Sequence, residues 1–205
     1  MNIHIEGNIG AGKSTLLNFI KDHIECNISQ EPVNEWIKLV DKKGINILDH
    51  FYQDIDKWSF AFQMNCFISR THQLKQLKGQ KYNFIERSIM SDKIFAQNCY
   101  ESGQMHDIEF QIYEKWSNWL RDELCDKIDA VIYLRSTPEV SAERIKKRNR
   151  EEENIPLEYL IKLHQYHDNW LMKKTDTPVL VLDADNITFD EATLNIIRDF
   201  INQLK

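Results

Sequence analysis

The chain has 205 residues, a hydrophobic fraction of 42% and a formal net charge of −6 at pH 7. This length can bury roughly 70% of the surface that the unfolded chain exposes, enough for one domain with a sizeable core. The acidic balance argues against a protein held to nucleic acid or to an anionic membrane by its overall charge, so any site for a polyanion must be local.

Short apolar or β-branched segments alternate with stretches whose apolar residues recur at helical spacing. The five predicted strands are Asn2–Glu6, Ile28–Gln30, Tyr82–Ile85, Ala130–Leu134 and Pro178–Leu182. Helices are predicted to begin at Lys13, Asp54, Ser91, Asp107, Pro138, Pro156 and Asp190. The alternation predicts an α/β fold, with a parallel sheet of about five strands and helices on both faces. Because no repeat or Pro/Gly/Ser-rich linker interrupts it, residues 1–205 are expected to form a single domain.

The first predicted strand leads directly into a phosphate-binding loop and then a helix. The loop is Gly7-Asn8-Ile9-Gly10-Ala11-Gly12-Lys13-Ser14, followed by Thr15, and it matches G-x-x-x-x-G-K-[ST]. Backbone N–H groups of such a loop bind phosphates, Lys13 can reach the β and γ phosphates, and Ser14 can bind Mg²⁺. We therefore expect residues 7–15 to bind ATP, with Mg²⁺ as cofactor.

Charged residues follow the next two predicted strands. Glu31 precedes Pro32 after the second strand, and Glu86 and Arg87 come directly after the third. Ligands of an open parallel sheet bind beyond the carboxyl ends of its strands, so these side chains should lie beside the phosphates. Two carboxylates and an arginine suit phosphoryl transfer to a hydroxyl, and no N-K-x-D motif of a GTPase is present. The pattern predicts a small-molecule kinase.

A charge-dense stretch between residues 143 and 153 contains Arg144, Arg148 and Arg150. Arg144 and Arg148 are four residues apart and so share a helical face. Beside a phosphate-binding loop, this spacing predicts an arginine-rich lid, at about residues 144–155, that closes over ATP and excludes water.

Other features favour a cytoplasmic protein without a membrane or nucleic-acid partner. No stretch is long and apolar enough to span a membrane, and Met1 runs straight into the first strand without room for a signal peptide. The scattered cysteines, which form no C-x-x-C pair, indicate reduced thiols: Cys26, Cys66, Cys99 and Cys125.

Two further clusters are expected to be structural. The apolar face formed by Tyr113, Trp116 and Trp119 is predicted to fill the core. His164 and His167 lie three residues apart without a third ligand, and they are expected on a helix surface rather than at a metal site.

The chain resembles the deoxyribonucleoside kinase family over nearly its whole length. The resemblance lies in IEGNIGAGKST (5–15), EPVNEW (31–36), WSFAFQ (58–63), ERSIMSD (86–92), IYLRSTPE (132–139) and IPLEYLIKLHQYHDNWL (155–171). It implies a P-loop kinase fold and ATP-dependent 5′-phosphorylation of a deoxyribonucleoside in nucleotide salvage. It also implies a homodimer, which would place part of the apolar helix surface between subunits.

By this resemblance, Glu31 is the base that deprotonates the 5′-hydroxyl, and Arg87 holds that oxygen and Glu31 in place. Glu86 is implied to lie near the metal and is the alternative proton acceptor. Tyr52 and a lid glutamate would bind the 3′-hydroxyl. The lid is one residue shorter than in animal members, so that glutamate is Glu153, with Glu152 as the alternative.

The resemblance also assigns the base-binding residues. Trp36, Phe62 and Phe95 would flank the base, although aromatic residues at helical spacing also commonly fill a core, and Gln63 would pair with the base edge. Arg70 and Asp92 match the polar pair of members that prefer deoxycytidine or deoxyguanosine. Because the segment from Arg87 to Phe95 is one residue shorter than in the animal enzymes, either Asp92 or Phe95 could be rotated by about 100°.

Base choice also follows from the chemistry of the predicted pair. A carboxylate at the base edge accepts a hydrogen bond from the exocyclic amine of cytosine or adenine, but it meets the thymine O4 acceptor to acceptor. An unpaired buried polar group costs roughly 1 to 3 kcal/mol, so thymidine is expected to be a poor substrate.

Two alternatives remain open at this level. A thymidylate-type nucleoside monophosphate kinase would need further arginines and usually carries D-R-[YH] where this chain has Glu86-Arg87-Ser88. A catalytically inactive structural relative should have lost site residues, whereas Lys13 and Glu31 are both present.

Overall fold

A computed structural model describes residues 1–77, 79–124, 127–148, 155–173 and 175–204. Five strands are present: β1 Asn2–Gly7, β2 Asn27–Ser29, β3 Asn83–Glu86, β4 Ala130–Arg135 and β5 Val179–Asp183. The helices are α1 Lys13–His23, α2 Val33–Trp36, α3 Ile47–Gln53, α4 Ile55–Leu74, α5 Ile89–Glu101, α6 Asp107–Leu124, α7 Pro138–Arg148, α8 Leu157–Leu171 and α9 Glu191–Gln203.

The described strands form one parallel sheet in the order β2-β3-β1-β4-β5. Ile5 at the centre of β1 pairs with Glu86 on β3 and with Ile132 on β4. Because β1 is central and all strands run the same way, their carboxyl ends bring the loops after β1, β2, β3 and β5 to one edge. The parallel α/β fold predicted from the sequence is confirmed.

Apolar cores cover both faces of the sheet. Ile3 and Ile5 of β1 are fully buried and pack with residues of α1 and α9, such as Leu17 and Ile197. The alternate residues of β1, His4 and Glu6, are also buried. Since successive side chains of a strand point to opposite faces, these two polar groups lie on the other face of the sheet.

A second core is built by α3, α4, α5 and α6 beside the sheet. Phe51, Phe62, Phe67 and Tyr113 are buried there together with Trp36. The rings of Phe51 and Phe62 stack at 4.4 Å, and Trp36 meets Phe62 edge-on at 5.4 Å. This aromatic packing fixes one wall of the cleft described below.

Side-chain caps set where several helices begin. Ser88 accepts a hydrogen bond from the backbone N–H of Ser91, while Ser91 accepts one from the N–H of Ser88, which is a capping box. As a result α5 begins at Ile89, two residues before the predicted start. Asp54 and Asp190 cap α4 and α9 in the same way, by accepting from a backbone N–H.

Three predictions about buried and exposed residues have mixed outcomes. Tyr113 is fully buried as predicted, but Trp116 and Trp119 are about half exposed, at 48% and 50%, so the prediction that they fill the core of one chain is wrong. His167 is buried rather than on the helix surface, and it stacks on Tyr133 at 6.1 Å.

Within the described ranges, no helix is both long and apolar enough to cross a membrane.

Candidate active site

A cleft of about 660 Å³ lies at the carboxyl edge of the sheet. The loop after β1, Glu31 after β2 and the residues that end and follow β3 meet there, as expected for an open parallel sheet. The predicted site residues that line it are Ile9, Gly10, Ala11, Gly12, Lys13, Ser14, Thr15, Glu31, Trp36, Tyr52, Phe62, Gln63, Glu86, Arg87, Asp92, Phe95, Arg144 and Arg148.

The loop after β1 wraps around the side chain of Lys13. Its ammonium group donates to the carbonyl oxygens of Gly7 at 3.2 Å and Asn8 at 2.8 Å. Burial, reinforced by the positive charge of Arg87, lowers the pKa of Lys13 to about 7. Anionic phosphates would reverse this effect, because a nearby negative charge favours the protonated ammonium.

Gly7 and Asn8 support the loop from behind and are not among the residues that line the cleft. Gly7 has a φ of 146°, and a Cβ there would lie 2.5 Å from the carbonyl oxygen of Leu134 on β4, so only glycine fits. The Nδ2 of Asn8 donates to the carbonyl of Leu160 at 2.9 Å. This bond ties the loop to α8.

Ser14 and Glu86 present oxygen atoms to the same point of the cleft. The Ser14 hydroxyl donates to both carboxylate oxygens of Glu86, at 3.0 and 3.2 Å. A hydroxyl and one carboxylate are a suitable protein contribution for Mg²⁺, which keeps waters and takes its other ligands from phosphates. No group of three or more His, Cys, Asp or Glu that could hold a metal occurs in the described ranges. The residues present therefore fit the implied Mg²⁺ only if phosphates share it.

Two arginines hold Glu31 at the centre of the cleft. Oε1 of Glu31 lies 3.2 Å from NH2 of Arg70 and 3.1 Å from Nε of Arg87. Burial would raise the pKa of Glu31, but the positive charges of Arg87, Arg70 and Lys13 outweigh it and lower the pKa. Glu31 is therefore an anion at neutral pH and can accept a proton.

Arg87 adopts an unusual backbone conformation. Its φ is 62°, in the left-handed region that costs roughly 1 to 2 kcal/mol for a residue with a Cβ. The side chain turns back to the cleft, where its guanidinium lies 4.6 Å from the ring centre of Phe95 and NH1 donates to the carbonyl of Gly7 at 3.0 Å. Backbone strain of this kind is typical of functional sites.

Arg70 and Asp92 form a buried bidentate ion pair between α4 and α5. Nε and NH2 of Arg70 donate to the two carboxylate oxygens of Asp92, at 2.8 and 3.0 Å. NH1 of the same arginine donates to the carbonyl of Glu86 at 2.7 Å. Asp92 lines the cleft and Arg70, which is 2% exposed, lies behind it. Burial raises the pKa of Asp92, and the charge of Arg70 opposes that rise.

Aromatic side chains line the end of the cleft beyond Glu31. Trp36 and Phe62 form one wall, with Gln63 and Tyr52 beside them, while Phe95 comes from α5. The Nε1 of Trp36 donates to Ser69 at 2.9 Å, which fixes the ring. Asp92 and Phe95 both line the cleft, so the shorter segment before them removes neither side chain from it.

The opposite end of the cleft lies between α7 and the loop after β5. Arg144 donates to the carbonyl of Ala184 at 2.8 Å, and Arg148 also lines this end. Helix α7 ends at Arg148 and α8 begins at Leu157. The predicted roles of Arg150, Glu152 and Glu153 fall outside the described residues, and the lid stays a prediction.

Sequence reasoning did not identify several residues that line the cleft. Ala184, Ile187 and Phe189 follow β5, where the rule about carboxyl ends of parallel strands could have found them. Phe51 lies on the short helix α3, and Tyr159 on α8 two residues after its start. No local signal marks these last two, because their position depends on how the helices pack.

Comparisons with known proteins identify the family of the chain. Residues 3–204 match the model of the deoxynucleoside kinase family. A fowlpox virus protein named probable deoxycytidine kinase is 38% identical over 98% of this chain and 88% of its own. Human deoxycytidine kinase is 37% identical over 98% of this chain and 91% of its own. Human mitochondrial thymidine kinase 2 is 35% identical over 90% of this chain and 71% of its own. The chain therefore belongs to the deoxynucleoside kinase family, and the protein is a deoxynucleoside kinase.

Proposed function

We propose that the protein transfers the γ-phosphoryl group of ATP to the 5′-hydroxyl of deoxycytidine or a purine deoxynucleoside in nucleotide salvage, in preference to thymidine. The observation that carries this proposal is the position of Glu31. It is a carboxylate held by Arg70 and Arg87, between the phosphate-binding loop and the aromatic end of the cleft. That is where the acceptor hydroxyl must meet the γ-phosphate.

In the proposed mechanism, Glu31 accepts the proton of the 5′-hydroxyl as the oxygen attacks the γ-phosphorus. The bond to the bridging oxygen breaks, and ADP leaves. Lys13 and Arg87 stabilise the negative charge that spreads over the transferring oxygens, and Arg144 and Arg148 would do the same from α7. Glu86 is the alternative base, but its contact with Ser14 favours a place at the metal.

Ser14 and Glu86 are the residues that would hold Mg²⁺. When bound, this ion neutralises phosphate charge and orients the γ-phosphate. Glu86 lies 3.5 Å from the backbone N of Glu31 through one of its oxygens. Two adjacent carboxylates can thus take separate roles, one toward the metal and one toward the acceptor.

The acceptor would lie with its base between Trp36, Phe62 and Phe95 and its 3′-hydroxyl toward Tyr52. Gln63 is 2% exposed and presents an amide to the base edge, beyond which Asp92 provides carboxylate acceptors. Asp92 suits an exocyclic amine and opposes thymine O4. The relatives include a human protein named thymidine kinase 2, so base preference has to be measured directly.

The test is kcat/KM with ATP and Mg²⁺ for deoxycytidine, deoxyadenosine, deoxyguanosine and thymidine, with Glu31→Gln as the control. We expect turnover of amine-bearing bases, poor turnover of thymidine, and a loss of about 10²-fold or more in the control. A strong preference for thymidine would refute the base assignment and leave the reaction class intact. Turnover of nucleoside monophosphates alone would refute the acceptor.

We also propose a homodimer, in a cytoplasmic enzyme, with a second copy covering α6. Ile108, Ile112, Trp116 and Trp119 recur every three or four residues on that helix and are 63%, 40%, 48% and 50% exposed. A stripe of large apolar residues is unfavourable in water, and a copy related by a two-fold axis would bury it against itself. Sedimentation of the wild type should give twice the chain mass of 24.4 kDa, and Trp116→Lys should give the mass of a single chain. A wild-type monomer would refute this arrangement.

A further inference from the structure

Arg87 contacts Glu31 from a backbone held in the left-handed region, so the contacts that hold this backbone matter for the site. Part of the support is backbone pairing with β1. The N–H of Arg87 donates to the carbonyl of Ile5 at 2.9 Å, and its guanidinium donates to the carbonyl of Gly7 at 3.0 Å. The backbone bond continues the pairing of β1 with β3 past the end of β3, and the guanidinium bond adds a side-chain contact to β1.

The other support comes from two side chains of β1. Nδ1 of His4 lies 2.9 Å from the carbonyl oxygen of Arg87, and because a carbonyl only accepts, Nδ1 carries the hydrogen. The next residue, Ser88, donates its hydroxyl to Oε1 of Glu6 at 2.5 Å. The residue with strained backbone and its successor are thus each bound by a side chain from the central strand.

Neither His4 nor Glu6 is among the described residues that line the cleft, so neither is placed to touch a substrate. Both are buried, at 3% and 0% exposure. Oε2 of Glu6 has no hydrogen-bond partner among the described residues, and burial raises the pKa of this carboxyl to about 7. A buried carboxyl with one unsatisfied oxygen destabilises the fold. Its presence here is therefore better explained by a role in the site than by a contribution to stability.

We propose that Glu6 and His4 are positioning residues that hold Arg87 in its left-handed conformation and thereby aim its guanidinium at Glu31 and the transferring phosphate. Glu6 acts through Ser88, which also caps α5 and so fixes the direction in which the chain leaves Arg87. His4 acts directly on the Arg87 carbonyl. The inference rests on the proposed role of Arg87 in phosphoryl transfer.

Variants that remove the contact between Glu6 and Ser88 test the proposal. Glu6→Leu and Ser88→Ala remove the same hydrogen bond from opposite sides, so either can decide if the other does not fold. We expect each to lower kcat by about 10- to 100-fold, because a small misplacement of a catalytic group has an effect of that size. KM for the nucleoside should change less than about threefold, since neither residue touches it. Glu6→Gln and His4→Asn keep an acceptor and a donor, respectively, and should retain most of the wild-type kcat.

Ser59→Ala is the matched control, because it also deletes a buried hydroxyl, one that donates to the carbonyl of Gln104 away from the cleft. It should lower thermal stability and leave kcat unchanged. If kcat in Ser88→Ala and Glu6→Leu falls no further than in Ser59→Ala, the inference is overturned.

A double-mutant cycle with Arg87→Ala separates a positioning role from a merely structural one. If Glu6 acts through Arg87, adding Glu6→Leu to Arg87→Ala should lower kcat no further, whereas additive losses would overturn the inference. Wild-type kcat in Arg87→Ala would refute the proposed role of Arg87, and with it this inference. A loss of kcat in Arg87→Ala without a loss in Glu6→Leu or Ser88→Ala would refute the inference and leave the proposed role of Arg87 intact.

Discussion

Replacing Asp92 by Ala should remove discrimination against thymidine. In the proposed binding mode, Asp92 accepts from Arg70 and turns its remaining lone pairs to the base edge, where thymine O4 offers them no donor. The penalty for an unpaired buried polar group is about 1 to 3 kcal/mol, which corresponds to a factor of about 5 to 150 in kcat/KM. We therefore expect the ratio of kcat/KM for deoxycytidine over thymidine to fall by a factor in this range in Asp92→Ala.

The same substitution should destabilise the fold, because it leaves Arg70 buried without the carboxylate that accepts two of its hydrogen bonds. Removing one partner of a buried ion pair costs roughly 3 to 5 kcal/mol, whereas replacing both by apolar residues costs much less. Arg70→Leu/Asp92→Ala should thus be more stable than Asp92→Ala alone. The double variant also removes one of the two arginines that hold Glu31, so kcat should fall for every nucleoside.

The assay is kcat/KM for both nucleosides, alongside urea unfolding of each variant. Lys93→Ala is a matched control on the same helix, because it breaks an ion pair with Glu114 that is partly exposed, at 32% and 36%. It should cost at most about 1 kcal/mol and leave the ratio unchanged. A deoxycytidine-to-thymidine ratio within about twofold of wild type in folded Asp92→Ala would show that Asp92 does not select the base.

Three further outcomes are expected. Gly7→Ala should destabilise the protein by about 2 kcal/mol more than Gly12→Ala in urea unfolding. Both glycines have a positive φ, but of these two only Gly7 would place a Cβ against backbone, at 2.5 Å. Equal losses of stability in the two variants would contradict the steric argument. Burial raises the pKa of Glu6 from 4.5 to about 7, so its contribution to stability is complete below pH 4.5 and lost as the pH rises through 7. Between pH 5 and pH 8, the free energy of unfolding of Glu6→Gln should therefore rise by about 2 to 3 kcal/mol relative to that of the wild type. A difference between the two proteins that does not change with pH would contradict the raised pKa. Ser14→Ala and Glu86→Gln should raise the Mg²⁺ concentration needed for half-maximal activity, measured by titration at fixed ATP, and an unchanged requirement would place the ion elsewhere.

The sequence predicted each strand to within a residue at either end, because the strands of a buried parallel sheet are continuous apolar or β-branched runs. It did not predict α2 and α3, since four and seven residues are too few for helical periodicity to show. It also placed Trp116 and Trp119 in the core, because the same apolar stripe can face either a core or a partner.

Within the candidate site, the residues close in sequence to a strand end were accessible to prediction. The association of Arg70 with Asp92 was predicted only through the family resemblance, because it depends on how α4 packs against α5, and the two residues lie 22 positions apart. His4 and Glu6 did carry a signal. A central parallel strand is buried on both faces, so two polar residues at alternate positions within it require specific partners.

In the proposed mechanism, the arrangement of Arg70 would couple base recognition to catalysis. One guanidinium donates to both oxygens of Asp92, to a carboxylate oxygen of Glu31 and to the carbonyl of Glu86, so these groups cannot move independently. A base that disturbs Asp92 must shift or strain Arg70, and Glu31 then loses one of the two charges that hold it. Such a base would both bind more weakly and slow the proton transfer to Glu31, so the discrimination would appear in kcat as well as in KM. A base-selecting pair on the cleft wall without contact to Glu31 would change KM alone.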